Sequence, residues 1–116
     1  MSATLLHATA IAINDNGILL LGPSGSGKSD LALRLIDRGA KLVSDDAVPI
    51  NTSSQMPLVT AAPNIAGKLE VRGLGICSVA HVPSAPLRRV VQSVGKAVRL
   101  PPGNRTITVG RFSVPL

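Results

Sequence analysis

The stretch Gly22-Pro23-Ser24-Gly25-Ser26-Gly27-Lys28-Ser29, directly behind the apolar run Gly17-Ile18-Leu19-Leu20-Leu21, decides how this chain is read. It satisfies the pattern G-x-x-x-x-G-K-[ST] at every fixed position. A strand-like run precedes it and a helix-like segment follows, the context that pattern requires. Glycines let the backbone wrap closely around phosphate oxygens, where a Cβ would resist the necessary dihedrals. The loop amides then point inward as an anion-binding nest, reinforced by the positive end of the following helix dipole. In this reading Gly22, Pro23, Ser24, Gly25, Ser26, Gly27, Lys28 and Ser29 bind nucleotide phosphates. Lys28 reaches the β- and γ-phosphates, and the Ser29 hydroxyl ligates magnesium. The plain alternative is a glycine-rich turn that binds nothing, and the complete motif with both flanks weighs against it.

Upstream, residues 5–13 are apolar and β-compatible and lead into Asn14-Asp15-Asn16-Gly17. Asn-Gly between two apolar runs is the strongest short hairpin signal. The strand entering the loop is therefore expected to pair antiparallel with the one before it, giving a mixed sheet in an α/β domain. Downstream, 28–38 reads as a helix with Leu31, Ala32, Leu35 and Ile36 as its apolar stripe and Gly39 as its stop. Short strands are expected at 41–43, 47–50 and 56–60, with a polar turn over 51–55. Within 68–79, the glycines of Gly73-Leu74-Gly75 mark a tight loop before a strand. The periodicity of Leu87, Val90, Val91, Val94 and Val98 predicts a helix over 85–98. Pro101-Pro102-Gly103 ends it, and 106–109 with 112–114 suit a final hairpin.

The 116 residues fit one domain, 1–116, with a single core. Hydrophobic residues make up 45% of the chain, yet Phe112 is the only aromatic, so Leu, Ile, Val and Ala must build that core. No apolar run is long enough to cross a bilayer, and no basic segment precedes an apolar one at the start. The lone Cys77 has no partner for an internal disulfide, which suits a reducing cytoplasm. One cysteine and two distant histidines, His7 and His81, do not make a metal cluster.

Charge is uneven. Up to Glu70 there are five basic and six acidic residues; beyond it there are seven basic residues and no acidic one. Such asymmetry fits an acidic partner or a phosphorylated substrate, or a solvated basic face. Nucleic-acid binding is disfavoured, since stacking aromatics and nucleic-acid motifs are missing.

Phosphoryl transfer to an alcohol needs a group that takes up the hydroxyl proton and a magnesium ligand beyond Ser29. Asp45 and Asp46 follow the strand after the loop helix. Neighbours in an extended chain point to opposite sides, so one carboxylate can serve the metal and the other the acceptor. A solvent-facing Asp-Asp turn is the alternative. Glu70 is either a second metal contact or half of a surface pair with Arg72. His7, alone in an apolar stretch, reads first as a core or edge residue.

Taken in order, His7, residues 22–29, Leu42-Val43-Ser44-Asp45-Asp46-Ala47-Val48 and Glu70-Val71-Arg72-Gly73-Leu74-Gly75-Ile76 resemble the catalytic domain of HPr kinase/phosphorylase. The last stretch is similar to that family's own signature. The resemblance runs from about residue 7 to residue 82 and is greatest to short proteobacterial forms. It implies a cytoplasmic enzyme that uses ATP and magnesium to phosphorylate a serine of the phosphocarrier HPr, in regulation of carbohydrate metabolism through the phosphotransferase system. It also implies the reverse phosphorolysis, a fold similar to the nucleotide domain of phosphoenolpyruvate carboxykinase, and hexamers like those of the long enzymes. By position, Asp45 would be the base, with His7 assisting and Lys28 on the phosphates; Asp46 and Glu70 would hold magnesium with Ser29.

The chain departs from the family pattern at Ala8 and Asp30, where Gly and Glu are usual. Beyond residue 82 the likeness fades, and the family's final strand and helix have no clear counterpart. Arg105 is the nearest candidate for the family's later phosphate-contacting arginine. Two other functions fit parts of the sequence: a small-molecule kinase, which would use Arg88-Arg89 as a lid, and a nucleotide-binding regulator without turnover.

Overall fold

The strand-like opening segment divides in two: Ala3–Leu6 (β1) and Thr9–Ile13 (β2) are separate strands, with His7 and Ala8 bending between them. The structure is a computed structural model describing residues 3–22, 28–53, 55–62, 66–71, 73, 75–94, 97–99, 106–109 and 112–115. β2 turns into Asn16–Leu21 (β3), and the two pair antiparallel with Ile13 opposite Asn16. The hairpin forms as expected, but two residues earlier than Asn16-Gly17 would place it. Asn14 and Asp15 hold the turn, with φ of 50° and 67°. Two successive left-handed residues give the turn whose twist matches that of the flanking strands, and Asn and Asp tolerate that region.

Helix α1, Lys28–Asp37, follows the glycine-rich stretch. It ends on a Schellman motif: the amide of Gly39 donates to the carbonyl of Ile36 and that of Ala40 to Leu35, each at 3.0 Å, with Gly39 at φ +110°. Lys41–Ser44 (β4), Val48–Asn51 (β5) and Leu58–Thr60 (β6) come next. Lys68–Val71 (β7) and Gly75–Ser78 (β8) form a separate hairpin with left-handed Gly73 and Gly75 at its turn. Ser84–Val94 (β9) is the longest strand, followed by Ala97–Arg99 (β10) and the hairpin of Thr106–Val109 (β11) with Phe112–Pro115 (β12). Arg72, Leu74 and Arg105, together with Pro101-Pro102-Gly103, lie outside the described residues.

The main sheet runs β1-β5-β6-β9-β3-β2-β4, with β10 paired to β9. β3 and β9 are parallel, and the other paired strands of this sheet are antiparallel. The architecture is thus a mixed, mostly strand α/β arrangement. The expectation of a helix over 85–98 is overturned. Four of the five apolar residues that suggested it are valines, β-branched and better suited to a pleated surface than to a helix. Pairing on both sides, with β3 and β6, supplies the backbone bonds that a helix would otherwise make internally.

Side chains alternate across the sheet into two aliphatic clusters. Ala10, Ala12, Leu19 and Val43 join Val48, Ile50, Val59, Leu87 and Val90 on one face. Ile11, Leu20 and Leu42 pack with Ala32 of α1 and with Leu69 and Val71 of β7 on the other. The sheet curls, bringing β6 against β4 although they are far apart in strand order. As composition requires, the described core is built from Leu, Ile, Val and Ala. Among the described residues, no helix is long and apolar enough to cross a membrane.

β3 carries a close backbone approach at Gly17. Gly17 faces Leu87 and Ile18 faces Arg89, so Arg88 bulges out of the ladder and both arginines are exposed. A Cβ on Gly17 would stand 2.8 Å from the Pro86 carbonyl oxygen and 2.9 Å from Cγ2 of Val59. Gly17→Ala should therefore cost about 1–3 kcal/mol, the usual range for overpacking. Urea unfolding should show a lower midpoint at unchanged slope; an unshifted midpoint would refute the tight contact.

Candidate active site

The site begins with strand pairing. β2 lies antiparallel to β4 with Ala10 opposite Ser44, so the residues before Ala10 run alongside the residues after Ser44. His7, Ala8 and Thr9 each engage the Asp45-Asp46 turn. Nε2 of His7 lies 2.8 Å from Oδ1 of Asp46. The Ala8 amide donates to the Asp46 carbonyl at 3.2 Å, and the Thr9 hydroxyl donates to Oδ1 of Asp45 at 2.8 Å.

Asp46 sits in an unusual conformation. Its φ is +69°, and the Ala47 amide donates across it to the Asp45 carbonyl at 2.8 Å. That is a three-residue γ-turn of the rare, strained sense. Ser44 clamps it: its buried hydroxyl donates to the Ala47 carbonyl at 2.5 Å and accepts from the Ala62 amide at 3.1 Å. A left-handed non-glycine residue persists only where its surroundings over-determine it, and such residues cluster at functional sites.

The turn sends the two carboxylates into different environments. Asp45 is 6% exposed and accepts three hydrogen bonds: Thr9 and Ser29 (3.2 Å) on Oδ1, and the Glu70 main-chain amide (3.0 Å) on Oδ2. A buried carboxyl group carries a large desolvation cost, and three donors offset it. Asp46 is the opposite case, with a side chain 77% exposed beside a His7 side chain that is 62% exposed. At this exposure the contact orients the two groups more than it stabilises the fold.

Ser29 lies in the first turn of α1, and Nζ of Lys28 donates to the Gly22 carbonyl at 2.6 Å. Of the described members of the glycine-rich stretch, Ser29 meets Asp45 at the helix N-terminus; Pro23, Ser24, Gly25, Ser26 and Gly27 lie outside the described residues. The structure thus gathers His7, Lys28, Ser29, Asp45 and Asp46, pairing Ser29 with Asp45 rather than with Asp46. Glu70 joins through its backbone. Its side chain lies on the exposed face of β7, and its carboxylate has no partner among the described residues. Those residues hold no cluster of three or more His, Cys, Asp or Glu suited to a metal.

Thr9 was not among the expected site residues. The available signal was a hydroxyl between Ala8 and Ala10 in a strand otherwise made of Ala and Ile, where an aliphatic residue would pack as well.

An aspartate pair on the turn after β4, beside the N-terminus of α1 in a mixed α/β frame, defines the class of domain. The comparisons narrow the class. The family model for the HPr Serine kinase C-terminal domain matches residues 1–95, and the chain belongs to that family. It is 47% identical over 77 residues to HPr kinase/phosphorylase of Bacillus pumilus, covering 66% of this chain and 25% of that protein. To HPr kinase/phosphorylase of Lachnoclostridium phytofermentans it is 38% identical over 101 residues, 86% of this chain and 33% of that protein. The chain therefore spans a quarter to a third of these relatives. Among solved structures, the Hpr(Ser) kinase/phosphatase from Coxiella burnetii superposes with a TM-score of 0.83 at 26% identity, over 97% of this chain and 76% of that one.

The strained turn makes a prediction separable from function. Asp46→Gly relieves the left-handed strain and removes only an exposed contact. Stability should hold or rise by up to about 1 kcal/mol in thermal unfolding, whereas a clear drop would show that the side chain, not the backbone, holds the turn.

Proposed function

We propose that the chain is an ATP-dependent protein-serine kinase acting on HPr, with a phosphorolytic reverse reaction. The observation that carries this reading is the partition of the aspartates, one buried against Ser29 and one exposed against His7, in a member of this family. The two roles phosphoryl transfer needs, a phosphate-side anchor and a proton acceptor, thereby have separate occupants.

Residues 22–29 would bind the triphosphate, with Lys28 leaving the Gly22 carbonyl for the β- and γ-phosphates. The donor set suits magnesium: a serine hydroxyl whose hydrogen is engaged by Asp45, and Oδ2 of Asp45 with one acceptor position beyond its Glu70 bond. When bound, magnesium neutralises charge developing on the phosphate oxygens. Glu70 would add its exposed carboxylate from β7.

The geometry favours exchanging the roles expected for the two aspartates. Asp45 is buried, and protein donors take all but one acceptor position of its carboxylate; Asp46 is open to an incoming hydroxyl. Asp46 would accept the proton of the substrate serine as the serine oxygen bonds to the γ-phosphorus and the bond to the β-phosphate oxygen breaks. His7, on Oδ1 of Asp46, orients that carboxylate and leaves Oδ2 for the substrate. In the phosphorolytic direction an oxygen of inorganic phosphate would bond to the phosphoserine phosphorus, giving pyrophosphate, as the bond to the serine oxygen breaks and Asp46 returns a proton to that oxygen.

The test is incubation of the purified chain with magnesium, ATP and HPr, with phosphoserine read by mass spectrometry. Asp46→Asn should lower turnover by ~10²–10⁴-fold while ATP still binds, and Lys28→Ala should abolish binding. Unchanged turnover in Asp46→Asn would return the base role to Asp45. Transfer to a metabolite without HPr would indicate a small-molecule kinase, and binding without any transfer a regulator.

A further inference from the structure

Thr9 is a buried hydroxyl that the mechanism above leaves unused. It opens β2, is 1% exposed, and lies between Ala8 and Ala10, both fully buried. Valine has nearly the same shape and higher strand preference, so packing alone does not call for a hydroxyl here. The hydroxyl's recorded partner is Oδ1 of Asp45, at 2.8 Å. We propose that Thr9 is a positioning residue for the cation site: it saturates Oδ1 of Asp45 and so fixes which atoms of Asp45 and Ser29 remain open to a divalent ion. This rests on the nucleotide-binding reading given above.

The argument is one of valence. A carboxylate oxygen offers two acceptor positions. Oδ1 takes hydrogens from Thr9 and from Ser29, which fills both. The Glu70 amide takes one position on Oδ2, so the single acceptor position left on Asp45 is on Oδ2. Ser29, with its hydrogen committed to Oδ1, turns its lone pairs away from that oxygen. Without Thr9, Oδ1 regains an open position, the carboxyl group loses one of three tethers, and the ion meets a differently oriented pair. Groups that orient ligands from behind in this way typically contribute 10–100-fold to metal affinity.

The readout is ATP binding by calorimetry, with magnesium and with EDTA, on the full chain. Thr9→Val should lose about tenfold or more of the affinity gained from magnesium, leave metal-free ATP affinity within about twofold, and unfold cooperatively in a thermal scan. Thr9→Ser, which restores the donor with a smaller side chain, should recover the magnesium gain. If Thr9→Val does not fold, Thr9→Cys, a weaker donor of similar volume, should show a smaller loss in the same direction. The inference is overturned if the variant keeps the full magnesium gain, if it loses metal-free and magnesium-loaded affinity equally, or if Thr9→Ser fails to restore it. A wild-type chain that binds no ATP under either condition would overturn the nucleotide reading itself, a separate outcome.

Discussion

The buried carboxyl group of Asp45 is the constraint on which the site depends. Its three donors come from three elements: Thr9 from β2, Ser29 from α1 and the Glu70 amide from β7. A polar group so enclosed cannot lose a partner cheaply, because water does not replace it. The carboxyl group therefore enforces the relative position of a sheet strand, a helix start and an outlying hairpin. Hydrophobic contact brings these elements together through Ile11, Ala32 and Leu69, but it is not directional. Asp45 supplies the direction.

The neighbouring residue works the other way. Asp46 is held in a strained backbone by the Ser44 clamp and the Ala8 amide, and its side chain is left in solvent. Two adjacent residues of one type thus acquire opposite environments from a single turn. The β2–β4 register decides this, since it brings Ala8 and Thr9 alongside the turn. A one-residue slip would exchange the faces and dismantle both contacts.

Much of this was legible beforehand. The glycine-rich motif, the helix behind it with Gly39 at its end, the hairpin before it and the paired aspartates all follow from local rules. What stayed hidden depends on tertiary pairing. Residues 85–98 have a helix-like apolar spacing, and only the β3 and β6 partners make them a strand. The turn at Asn14-Asp15 was masked by the stronger Asn16-Gly17 signal, because Gly17 is demanded by Pro86 and Val59 across the sheet rather than by a turn. The unequal burial of Asp45 and Asp46 depends on a γ-turn that no residue preference announces. Thr9 showed only as a hydroxyl in an otherwise aliphatic strand, because its partner Asp45 lies far along the chain.

The strand order has a consequence for how firmly each side of the site is held. β3, which leads to the glycine-rich stretch, is flanked by β2 and β9 and cannot detach unless the main sheet comes apart. The β7–β8 hairpin belongs to no larger sheet; aliphatic packing, the Glu70 amide bond and, just past β8, backbone bonds between Leu42 and Ala80 and Val82 hold it. The two sides of the site are therefore held differently, one by ladders on both edges and the other by packing and a few backbone bonds. Amide hydrogens of β3, paired on both sides, should exchange more slowly than those on the outer edges of the two-stranded β7–β8 hairpin that carries Glu70.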